Sequence, residues 1–330
     1  MQKSDGNRET MKIKRVLSIQ SHVVHGYVGN RAAVFPLQLL GFDVDFINSV
    51  QFACHTGYKH FPHGEVMNGD QLRTILEGLE LNGLIGNDGE DGGDNADAIG
   101  SVLTGYIGSA SFLEAVFDVL GVVRKHNPNA RFVCDPVLGD DGQFYVPEDL
   151  VEVYTTVVIP KADVVTPNQF ETEKLTGIKV KTIDDARRAC ETLHNMGPSV
   201  VFITSAIFDE PSTGEGGEPL DEENDRDKII TIVASKRSNG EQEMWRIDCP
   251  KIPGSFTGTG DVTASLLLGH LDNHPDDLPL VMEKVINTMY LLIQRTHEAK
   301  GKTVRSKELR LVQSKDIIEN PPLTFKAKPL

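Results

Sequence analysis

Apolar and polar residues alternate along this chain with two different periods, which separate strand-like segments from helix-like segments. Buried or half-buried strands are predicted at 15–20, 42–48, 101–106, 132–134, 163–166 and 199–204. Helices are predicted between them at 30–40, 69–81, 111–125, 148–158, 169–175 and 182–196. Strands that alternate with helices are typical of a mainly parallel sheet covered on both faces, so the pattern predicts an α/β protein.

The last third of the chain departs from this alternation. Segments 229–235 and 243–247 flank a polar turn at Asn239-Gly240, a combination that predicts an antiparallel hairpin. Two helices are predicted after it, at 261–271 and 276–296. Because no linker divides these segments, residues 14–330 are predicted to form a single domain, preceded by a flexible tail at 1–13.

Acidic residues are concentrated in two polar segments. Residues 86–97 and 209–228 contribute twelve of the fifteen net negative charges of the chain. Such charge blocks are usually solvated loops, so we predict two flexible acidic insertions in the domain. The rest of the chain is close to neutral, which argues against a nucleic-acid partner because such a partner requires a basic surface.

Other features of the composition indicate a cytoplasmic protein. The chain has no run of 18 apolar residues and no apolar signal segment at its N-terminus, so we expect no membrane partner. Its four cysteines are scattered and it contains no N-x-[ST] sequon. Both features fit a reducing compartment better than secretion.

The segment Thr257-Gly-Thr-Gly-Asp-Val262 carries the most specific chemistry in the chain. Gly258 and Gly260 permit backbone angles that side chains forbid, and a helix that begins at Thr259 or Gly260 would direct unpaired N–H groups at one point. Such a helix start binds anions, yet Asp261 adds a carboxylate there. This combination suits a hydroxyl that loses its proton to Asp261 as it attacks a phosphate, while a helix-capping role for Asp261 is the plainer alternative.

Polar residues follow the predicted strands at their carboxyl ends. They are Gln20-Ser21-His22, Asn48–Gln51 with His55–Tyr58, Thr104–Tyr106, Asp135–Asp140, Thr166–Glu171 and Thr204-Ser205. In a doubly wound sheet these ends share one edge, where ligands bind. The sequence therefore predicts one site, formed by these segments together with the Gly258–Asp261 loop.

Taken in order along the chain, eight short motifs resemble the pyridoxal kinase family of the ribokinase-like superfamily. The motifs are Arg15–His22, Gly26–Asn30, His55–Tyr58, Leu103–Tyr106, Cys134–Asp140, Tyr145–Glu148, Thr166–Glu171 and Phe256–Asp261. The glycine loop alone is a moderate signal for the superfamily, whereas all eight motifs in this order are specific. The resemblance extends roughly from residue 14 to residue 320 and implies a three-layer α/β/α ribokinase-like fold with a mainly parallel central sheet.

This resemblance implies ATP-dependent phosphorylation of the 5′-hydroxyl of pyridoxal, pyridoxine or pyridoxamine. Asp261 would be the catalytic base. The amides of Gly258, Thr259 and Gly260 would hold the charge that develops on the transferred group. Gly260 and Asp261 would also contact the substrate.

The other substrate-binding residues implied by the resemblance are Ser21, Thr56 and Tyr106. The two hydroxyls would orient the pyridine ring, and the tyrosine would pack on it. The alternatives are ordinary roles for Ser21 at a strand end, Thr56 in a turn and Tyr106 in the core.

Nucleotide and cation sites are implied in the same way. ATP contacts would come from Asp135, Tyr145, Asn168, Glu171, Thr204, Ser205, Ile252 and Thr259. Mg²⁺, together with K⁺ or Na⁺, would involve Asp135, Asp140, Thr166 and Glu171, since hard cations prefer oxygen ligands. Tyr145 belongs to a segment that would close over ATP, and a structural salt bridge is the alternative role for Glu171.

Two other functions stay open. One is a related hydroxymethylpyrimidine-type kinase, and the other is a catalytically inactive protein that binds vitamin B6. The motif that ends the first strand and Thr56 favour pyridoxal, and the intact Gly258–Asp261 loop favours an active enzyme. Ala53-Cys54 stand where relatives commonly have Ser-Asn, which bears on fine substrate preference. The family also suggests a homodimer.

Overall fold

The computed structural model describes residues 13–60, 63–86, 98–208, 228–299 and 301–330. The predicted tail, apart from residue 13, lies outside the described residues. The same holds for positions 87–97 and 209–227, which make up nearly all of the two predicted acidic insertions.

Within the described residues, ten strands form one sheet and two more form a separate hairpin. In chain order they are β1 (Lys14–Val23), β2 (Phe42–Phe52), β3 (Gly64–Val66), β4 (Ile99–Thr104), β5 (Arg131–Cys134), β6 (Gly139–Asp140), β7 (Gln143–Phe144), β8 (Val164–Val165), β9 (Val200–Ala206), β10 (Ile229–Ser238), β11 (Glu241–Pro250) and β12 (Lys328–Pro329). The sheet order is β12-β11-β10-β9-β8-β5-β4-β1-β2-β3. Neighbours from β9 to β2 pair in parallel, and the outer strands pair antiparallel. The predicted mainly parallel sheet is confirmed.

Helices cover this sheet. They are α1 (Asn30–Leu39), α2 (Gly69–Leu81), α3 (Ala110–His126), α4 (Leu150–Val153), α5 (Gln169–Thr176), α6 (Ile183–Met196), α7 (Thr259–Asn273), α8 (Leu278–Ala299) and α9 (Lys315–Glu319). No helix of the described segments is both long enough and apolar enough to cross a membrane.

Two hydrophobic cores lie on opposite faces of the sheet. In β9, Val201 and Ile203 belong to one core, while Val200 and Phe202 belong to the other, as the strand period of two requires. Buried residues of α2, α3 and α6 complete the first core, and those of α1, α7 and α8 complete the second. The result is the predicted three-layer α/β/α arrangement.

The helix predicted at 148–158 corresponds to a helical segment from Leu150 to Lys161, but most of that segment is not α-helical. Only α4 is α-helical there, and a π-helical turn at Tyr154–Val158 and a 3₁₀ turn at Ile159–Lys161 follow it. The hydroxyl of Thr156 donates to the carbonyl of Glu152 at 2.7 Å, and Thr155 bonds the same turn. Threonine side chains that bond the preceding turn, within a β-branched run, disfavour a regular α-helix.

The predicted hairpin at the sheet edge is confirmed and is longer than expected. Strands β10 and β11 pair over ten residues each. Asn239 and Gly240 connect them with φ angles of 53° and 85°. Two successive positive φ angles match the right-handed twist of paired strands, and Asn-Gly tolerates them at low cost.

A buried amide joins the first strands to the first helix. Asn30, at the start of α1, is 1% exposed. Its Nδ2 donates to the carbonyl of Ile47 and to Oδ1 of Asn48, both at 2.9 Å, and its Oδ1 accepts the hydroxyl of Ser18 at 2.7 Å. Asn30 therefore fixes the carboxyl ends of β1 and β2 relative to α1, at the edge where the site residues lie.

Replacing Asn30 by alanine should lower the free energy of unfolding by about 2 kcal/mol or more, because each buried group that loses its partner costs about 1–3 kcal/mol. Asn82→Ala is the control, since this exposed amide donates to the Gly78 carbonyl at the end of α2. A surface change of that kind is expected to alter stability by about 0.5 kcal/mol. Urea denaturation measures both variants, and equal losses would contradict the structural role of Asn30.

Candidate active site

The predicted site residues lie at one edge of the sheet. Ser21 is the third residue from the end of β1, Tyr106 follows β4, Asp135 follows β5 and Thr166 follows β8. Thr204 and Ser205 belong to the end of β9, and Thr56 follows β2. Because these six strands run parallel, their carboxyl ends meet at the same edge. The topology thus brings together residues that are up to 184 positions apart, from Ser21 to Ser205.

The glycine loop opens α7 at this edge. Gly258 has a φ of 88° and precedes the first helical residue, Thr259. A Cβ on Gly258 would lie 1.9 Å from the carbonyl oxygen of Tyr27, so both the backbone angle and the contact require glycine. No side chain of the described residues caps this helix end, which leaves the start of α7 available to an anion.

Asp261 lies in the first turn of α7 and is half-buried. Burial raises the pKa of its carboxyl to about 6, although a hydrogen bond from the backbone of Gly29 opposes this shift. A carboxylate with this pKa is mostly ionised at neutral pH and is still a better proton acceptor than an ordinary aspartate. These are the properties of a general base, and they go beyond what a helix-capping acid needs.

Gly29 connects the base to the predicted substrate residue Ser21. A Cβ on Gly29, where φ is 54°, would lie 1.9 Å from the Ser21 carbonyl oxygen and 2.5 Å from its Oγ. The backbone of the same glycine lies close enough to the Asp261 carboxylate to oppose the rise that burial causes in its pKa. Ser21 itself is buried, at 9% exposure. Gly29 is thus close both to the end of β1 and to the Asp261 carboxylate in the first turn of α7.

Asp135 faces the glycine loop from the end of β5. Its side chain is buried, and a Cβ on Gly260 would lie 3.5 Å from its Oδ2. Burial, followed by the charges of Glu171 and Asp261, raises the pKa of Asp135 well above its usual value. Three carboxylates so close together repel one another, and a bound cation would relieve this repulsion.

Glu171 accepts backbone N–H groups with both of its carboxylate oxygens. Leu138 and Gly139 donate to Oε1 at 2.9 and 3.4 Å, and Asn168 donates to Oε2 at 2.9 Å. Burial raises the pKa of Glu171 to about 8, although these hydrogen bonds oppose the shift. The carboxylate therefore anchors the turn after β5 to the start of α5, through backbone contacts and not through the salt bridge considered from sequence.

Asn168 is also committed to local structure. Its Oδ1 accepts the N–H of Glu171 at 2.8 Å, which caps α5, and its Nδ2 donates to the carbonyl of Gly139 at 2.8 Å. A nucleotide contact from this residue would therefore have to share atoms that already hold the loop.

A few oxygen atoms at this edge of the sheet could bind a cation. Within the described part of the chain, no three His, Cys, Asp or Glu side chains are arranged to hold a metal ion. Mg²⁺, however, commonly takes one or two carboxylates and completes its coordination with phosphates and water. Thr166 lies beside Asp135, and its hydroxyl lowers the pKa of the Asp135 carboxyl, against the larger effect of burial. The buried Oγ1 of Thr166 has no hydrogen-bond partner of normal geometry among the described residues. Asp135 and Thr166 thus have free oxygen atoms, whereas the oxygens of Glu171 are occupied.

Asp140 and Tyr145 are more exposed than this buried group. Asp140 is exposed on the β6–β7 hairpin, where Asp141 and Gly142 have positive φ angles of 48° and 78°. Tyr145 is 59% exposed and is tied to the site by its N–H, which donates to the carbonyl of Leu138 at 2.8 Å. Asp140 is thus more exposed than Asp135, but its charge still adds to the burial that raises the pKa of Glu171, and the charges of Asp140 and Glu171 add to the burial that raises the pKa of Tyr145.

The remaining predicted nucleotide residues are less buried than Asp135 and Glu171. Thr204, Ser205, Ile252 and Thr259 are half-buried, and the N–H of Thr204 donates to the carbonyl of Pro167 at 3.0 Å. Their partial exposure leaves surface for a ligand.

Thr56 and Tyr106 differ in their surroundings. Thr56 is exposed on the loop after β2. Tyr106 is half-buried, burial raises the pKa of its phenol, and its carbonyl accepts the Ser49 hydroxyl at 2.9 Å. An exposed threonine and an ordered aromatic ring are compatible with contacts to an aromatic ligand.

Two contributors were not predicted from sequence. Gly29 stands inside the Gly26–Asn30 motif, but nothing in its sequence context indicated that its backbone lies beside Asp261. Glu308 lies far along the chain and carries no local motif, yet its carboxylate contacts the His55–Tyr58 loop.

Solved structures assign the fold to the ribokinase-like class of small-molecule kinases. A pyridoxal kinase from Leishmania donovani, solved in complex with ADP and pyridoxamine, is 35% identical to this chain with a TM-score of 0.82. The similarity covers 96% of this chain and 99% of that one.

Sequence relatives narrow this class to a family. A pyridoxal kinase from Arabidopsis thaliana is 46% identical over 95% of this chain and 94% of its own length. A pyridoxal kinase from Homo sapiens is 43% identical over 95% of this chain and 97% of its own length. The chain belongs to the pyridoxal kinase family.

A family model described as phosphomethylpyrimidine kinase also matches, over residues 96–277. This range contains Asp135, Glu171 and the glycine loop but excludes Ser21 and Thr56. The match therefore covers the part of the candidate site that contains the glycine loop, while the pyridoxal kinase relatives are similar over nearly the whole chain.

Replacing Gly258 by alanine should lower kcat for ATP-dependent phosphorylation about 10- to 100-fold, because the added Cβ displaces the loop from Tyr27 and small misplacements in a site have effects of this size. Gly240→Ala is the matched control, since Gly240 has a similar φ of 85° but no atom within 4 Å of an added Cβ. Steady-state kinetics of both variants check this. If Gly258→Ala keeps the activity of Gly240→Ala, the loop does not need its contact with Tyr27.

Proposed function

We propose that this chain transfers the γ-phosphoryl group of ATP to the 5′-hydroxyl of pyridoxal, and also of pyridoxine and pyridoxamine. The products are ADP and the vitamer 5′-phosphate. The observation that carries the proposal is the half-buried Asp261, with a pKa raised to about 6, beside an uncapped helix start. The Leishmania donovani relative, which binds ADP and pyridoxamine, supports the same pair of ligands for this chain.

Asp261 acts as the base in this reaction. A primary alcohol is a weak nucleophile, so its proton passes to the Asp261 carboxylate as its oxygen bonds to the γ-phosphorus and the bond to ADP breaks. The backbone of Gly29 lies beside this carboxylate. The amides of Gly258, Thr259 and Gly260 stabilise the charge on the transferred group, because they are oriented before the reaction begins.

The vitamer binds where β1 and β2 end. Ser21 lies against Gly29, so a ring bonded to its hydroxyl would bring an exocyclic 5′-hydroxyl close to Asp261. Thr56 contributes a second hydroxyl and Tyr106 an aromatic face. These three residues provide the specificity for a substituted pyridine.

The nucleotide lies across the ends of β5, β8 and β9. Its contacts come from Asp135, Tyr145, Asn168, Glu171, Thr204, Ser205, Ile252 and Thr259. Asp135 would hold Mg²⁺ directly, and Glu171 and Asp140 would do so through water. Thr166 would contribute its free hydroxyl to a monovalent cation, K⁺ or Na⁺. When bound, the cations neutralise phosphate charge beside the buried carboxylates.

A hydroxymethylpyrimidine-type kinase is the second candidate, and the family model over residues 96–277 favours it. That substrate is also a ring with a primary alcohol, so the same base and glycine loop would serve. The full-length relatives favour pyridoxal, because they are similar over the segments that contain Ser21 and Thr56. A homodimer and a cytoplasmic location stay predictions from the sequence.

The experiment that tests this function is ATP-dependent phosphorylation of the three B6 vitamers and hydroxymethylpyrimidine, with and without K⁺. We expect turnover of the vitamers, faster with K⁺, and little turnover of the pyrimidine. Asp261→Asn should reduce kcat about 10²- to 10⁴-fold, the usual contribution of a general base, while leaving the dissociation constant of pyridoxal nearly unchanged.

Each alternative gives a distinct result. Turnover of the pyrimidine alone would establish the second candidate, and vitamer binding without turnover would establish an inactive binding protein. Equal rates for Asp261→Asn and the unmodified chain would remove Asp261 as the base.

A further inference from the structure

Glu308 is a buried carboxylate outside the residues assigned to substrate and nucleotide. It follows a 3₁₀ turn at Val304–Lys307 and is 7% exposed. The next residues, Leu309 and Leu311, are buried in the core behind α1 and α7, which fixes the backbone that carries Glu308. A charged group so enclosed needs partners to stay ionised.

Three donors from two distant loops converge on this carboxylate. The Tyr58 hydroxyl donates to Oε1 at 2.9 Å, and the Tyr27 N–H donates to Oε2 at 3.2 Å. His55 Nε2 lies 3.0 Å from Oε1. Because His55 Nδ1 accepts the N–H of Gly57 at 3.1 Å, the ring proton of a neutral His55 is on Nε2 and is donated to Glu308. Glu308 therefore ties the loop after β2 to the loop before α1.

These hydrogen bonds keep Glu308 charged. Burial alone would raise the pKa of its carboxyl, but the bonds from His55, Tyr58 and the Tyr27 backbone outweigh burial and lower it. Arg305, three residues before Glu308, is a further charged group near this cluster, and its positive charge opposes the rise that burial causes in the pKa of the Tyr58 phenol.

Both tied loops continue directly into the catalytic centre. The carbonyl of Tyr27 is the atom that a Cβ on Gly258 would meet at 1.9 Å. Two residues further on, the backbone of Gly29 lies beside the Asp261 carboxylate. On the other loop, a Cβ on Gly57 would lie 3.9 Å from Thr257 Oγ1. The segment from Gly26 to Gly29 thus has Glu308 at one end and the base at the other.

We infer that Glu308 is a positioning residue for phosphoryl transfer: by holding Tyr27 and the His55–Tyr58 loop, it sets the place of the glycine loop and of Asp261. The inference rests on the proposed function, since it concerns the same reaction. The hydrogen-bond partners of Glu308 are Tyr27, His55 and Tyr58, so in this inference it acts through these two loops.

Glutamine cannot replace Glu308 in this arrangement. Its single carbonyl oxygen would serve either His55 and Tyr58 or the Tyr27 N–H. The amide NH₂ would then face a donor, and the Tyr27 backbone or the His55 ring would have to move. A backbone displacement at Tyr27 would move Gly29, which is two residues further along the chain. It would also move Gly258, which packs directly against the Tyr27 carbonyl.

The test compares Glu308→Gln with the unmodified chain. We expect kcat for pyridoxal phosphorylation to fall about 10- to 100-fold, as misplacement of catalytic groups does, and pyridoxal to bind several-fold more weakly. The KM for ATP should change by less than about threefold, because Thr259 is the one proposed nucleotide contact in the displaced loop. Asp135 follows β5, Glu171 lies on α5, and Thr204 and Ser205 lie on β9. A general loss of folding would not lower kcat and pyridoxal affinity while leaving the KM for ATP nearly unchanged.

Glu283→Gln is the matched control. Glu283 also accepts a backbone N–H from the C-terminal segment, that of Ala327 at 3.1 Å, and pairs with Lys326 at 2.8 Å. It lies on α8 and has no contact with either tied loop, so its variant should keep kcat even if its melting temperature falls. If Glu308→Gln fails to fold, Tyr58→Phe removes one donor with little change of shape and should lower kcat several-fold with ATP KM unchanged.

The outcomes separate this inference from the proposed function. If the unmodified chain does not phosphorylate any vitamer, the proposed function fails first. If it does, and folded Glu308→Gln or Tyr58→Phe has the kcat and pyridoxal affinity of Glu283→Gln, the inference is overturned. A selective fall in kcat with unchanged ATP KM supports it.

Discussion

The close packing of Gly29 against Ser21, with its backbone beside the Asp261 carboxylate, is the constraint on which the rest of the site depends. It joins the loop that follows β1 to the first turn of α7, two elements more than 200 residues apart in the chain. The packing is possible because Gly29 has a positive φ and no side chain, and would otherwise collide with Ser21. The parallel sheet supplies the frame, since it brings the ends of β1, β5 and β8 to one edge.

The electrostatics of this edge oppose folding and favour the reaction. Asp135, Glu171 and Asp261 all have pKa values raised chiefly by burial, so the folded protein binds their protons more tightly than the unfolded chain does. The resulting destabilisation is present above these pKa values and is relieved as the pH falls through them toward the ordinary range near 4. Asp261, with a pKa of about 6, is mostly charged at neutral pH and can receive a proton, and a bound cation would favour the charged forms of Asp135 and Glu171.

Much of the fold followed from residue patterns, for reasons that the structure makes clear. The periods of two and 3.6 predicted the central strands and their covering helices, because each face of the sheet is buried by a helix layer. Asn-Gly predicted the hairpin turn, and the glycine-rich segment predicted the start of α7 at Thr259. The short strands β3 and β12 were not predicted, since two or three residues paired at a sheet edge leave no periodic signal.

What sequence could not supply were the partners of individual side chains. The bond between Glu308 and His55 spans 253 residues, and no local pattern encodes it. The family resemblance placed Asp135 and Asp140 in one cation group, yet one is buried at the sheet edge and the other is exposed on a hairpin. The oxygens of Glu171 are occupied by three backbone N–H groups, which sequence could not reveal because tertiary packing of the turn after β5 creates them.

The central claim is that Asp261 is a half-buried base whose pKa is matched to neutral conditions. It is tested most directly by a carbon NMR titration of the protein labelled at aspartate carboxyl carbons, without nucleotide or metal. Asp261 is assigned as the signal missing from Asp261→Asn. We predict that this signal titrates near pH 6. Titration near the ordinary value of 3.8 would contradict the account, because Asp261 would then be a solvated acid with no special affinity for a proton.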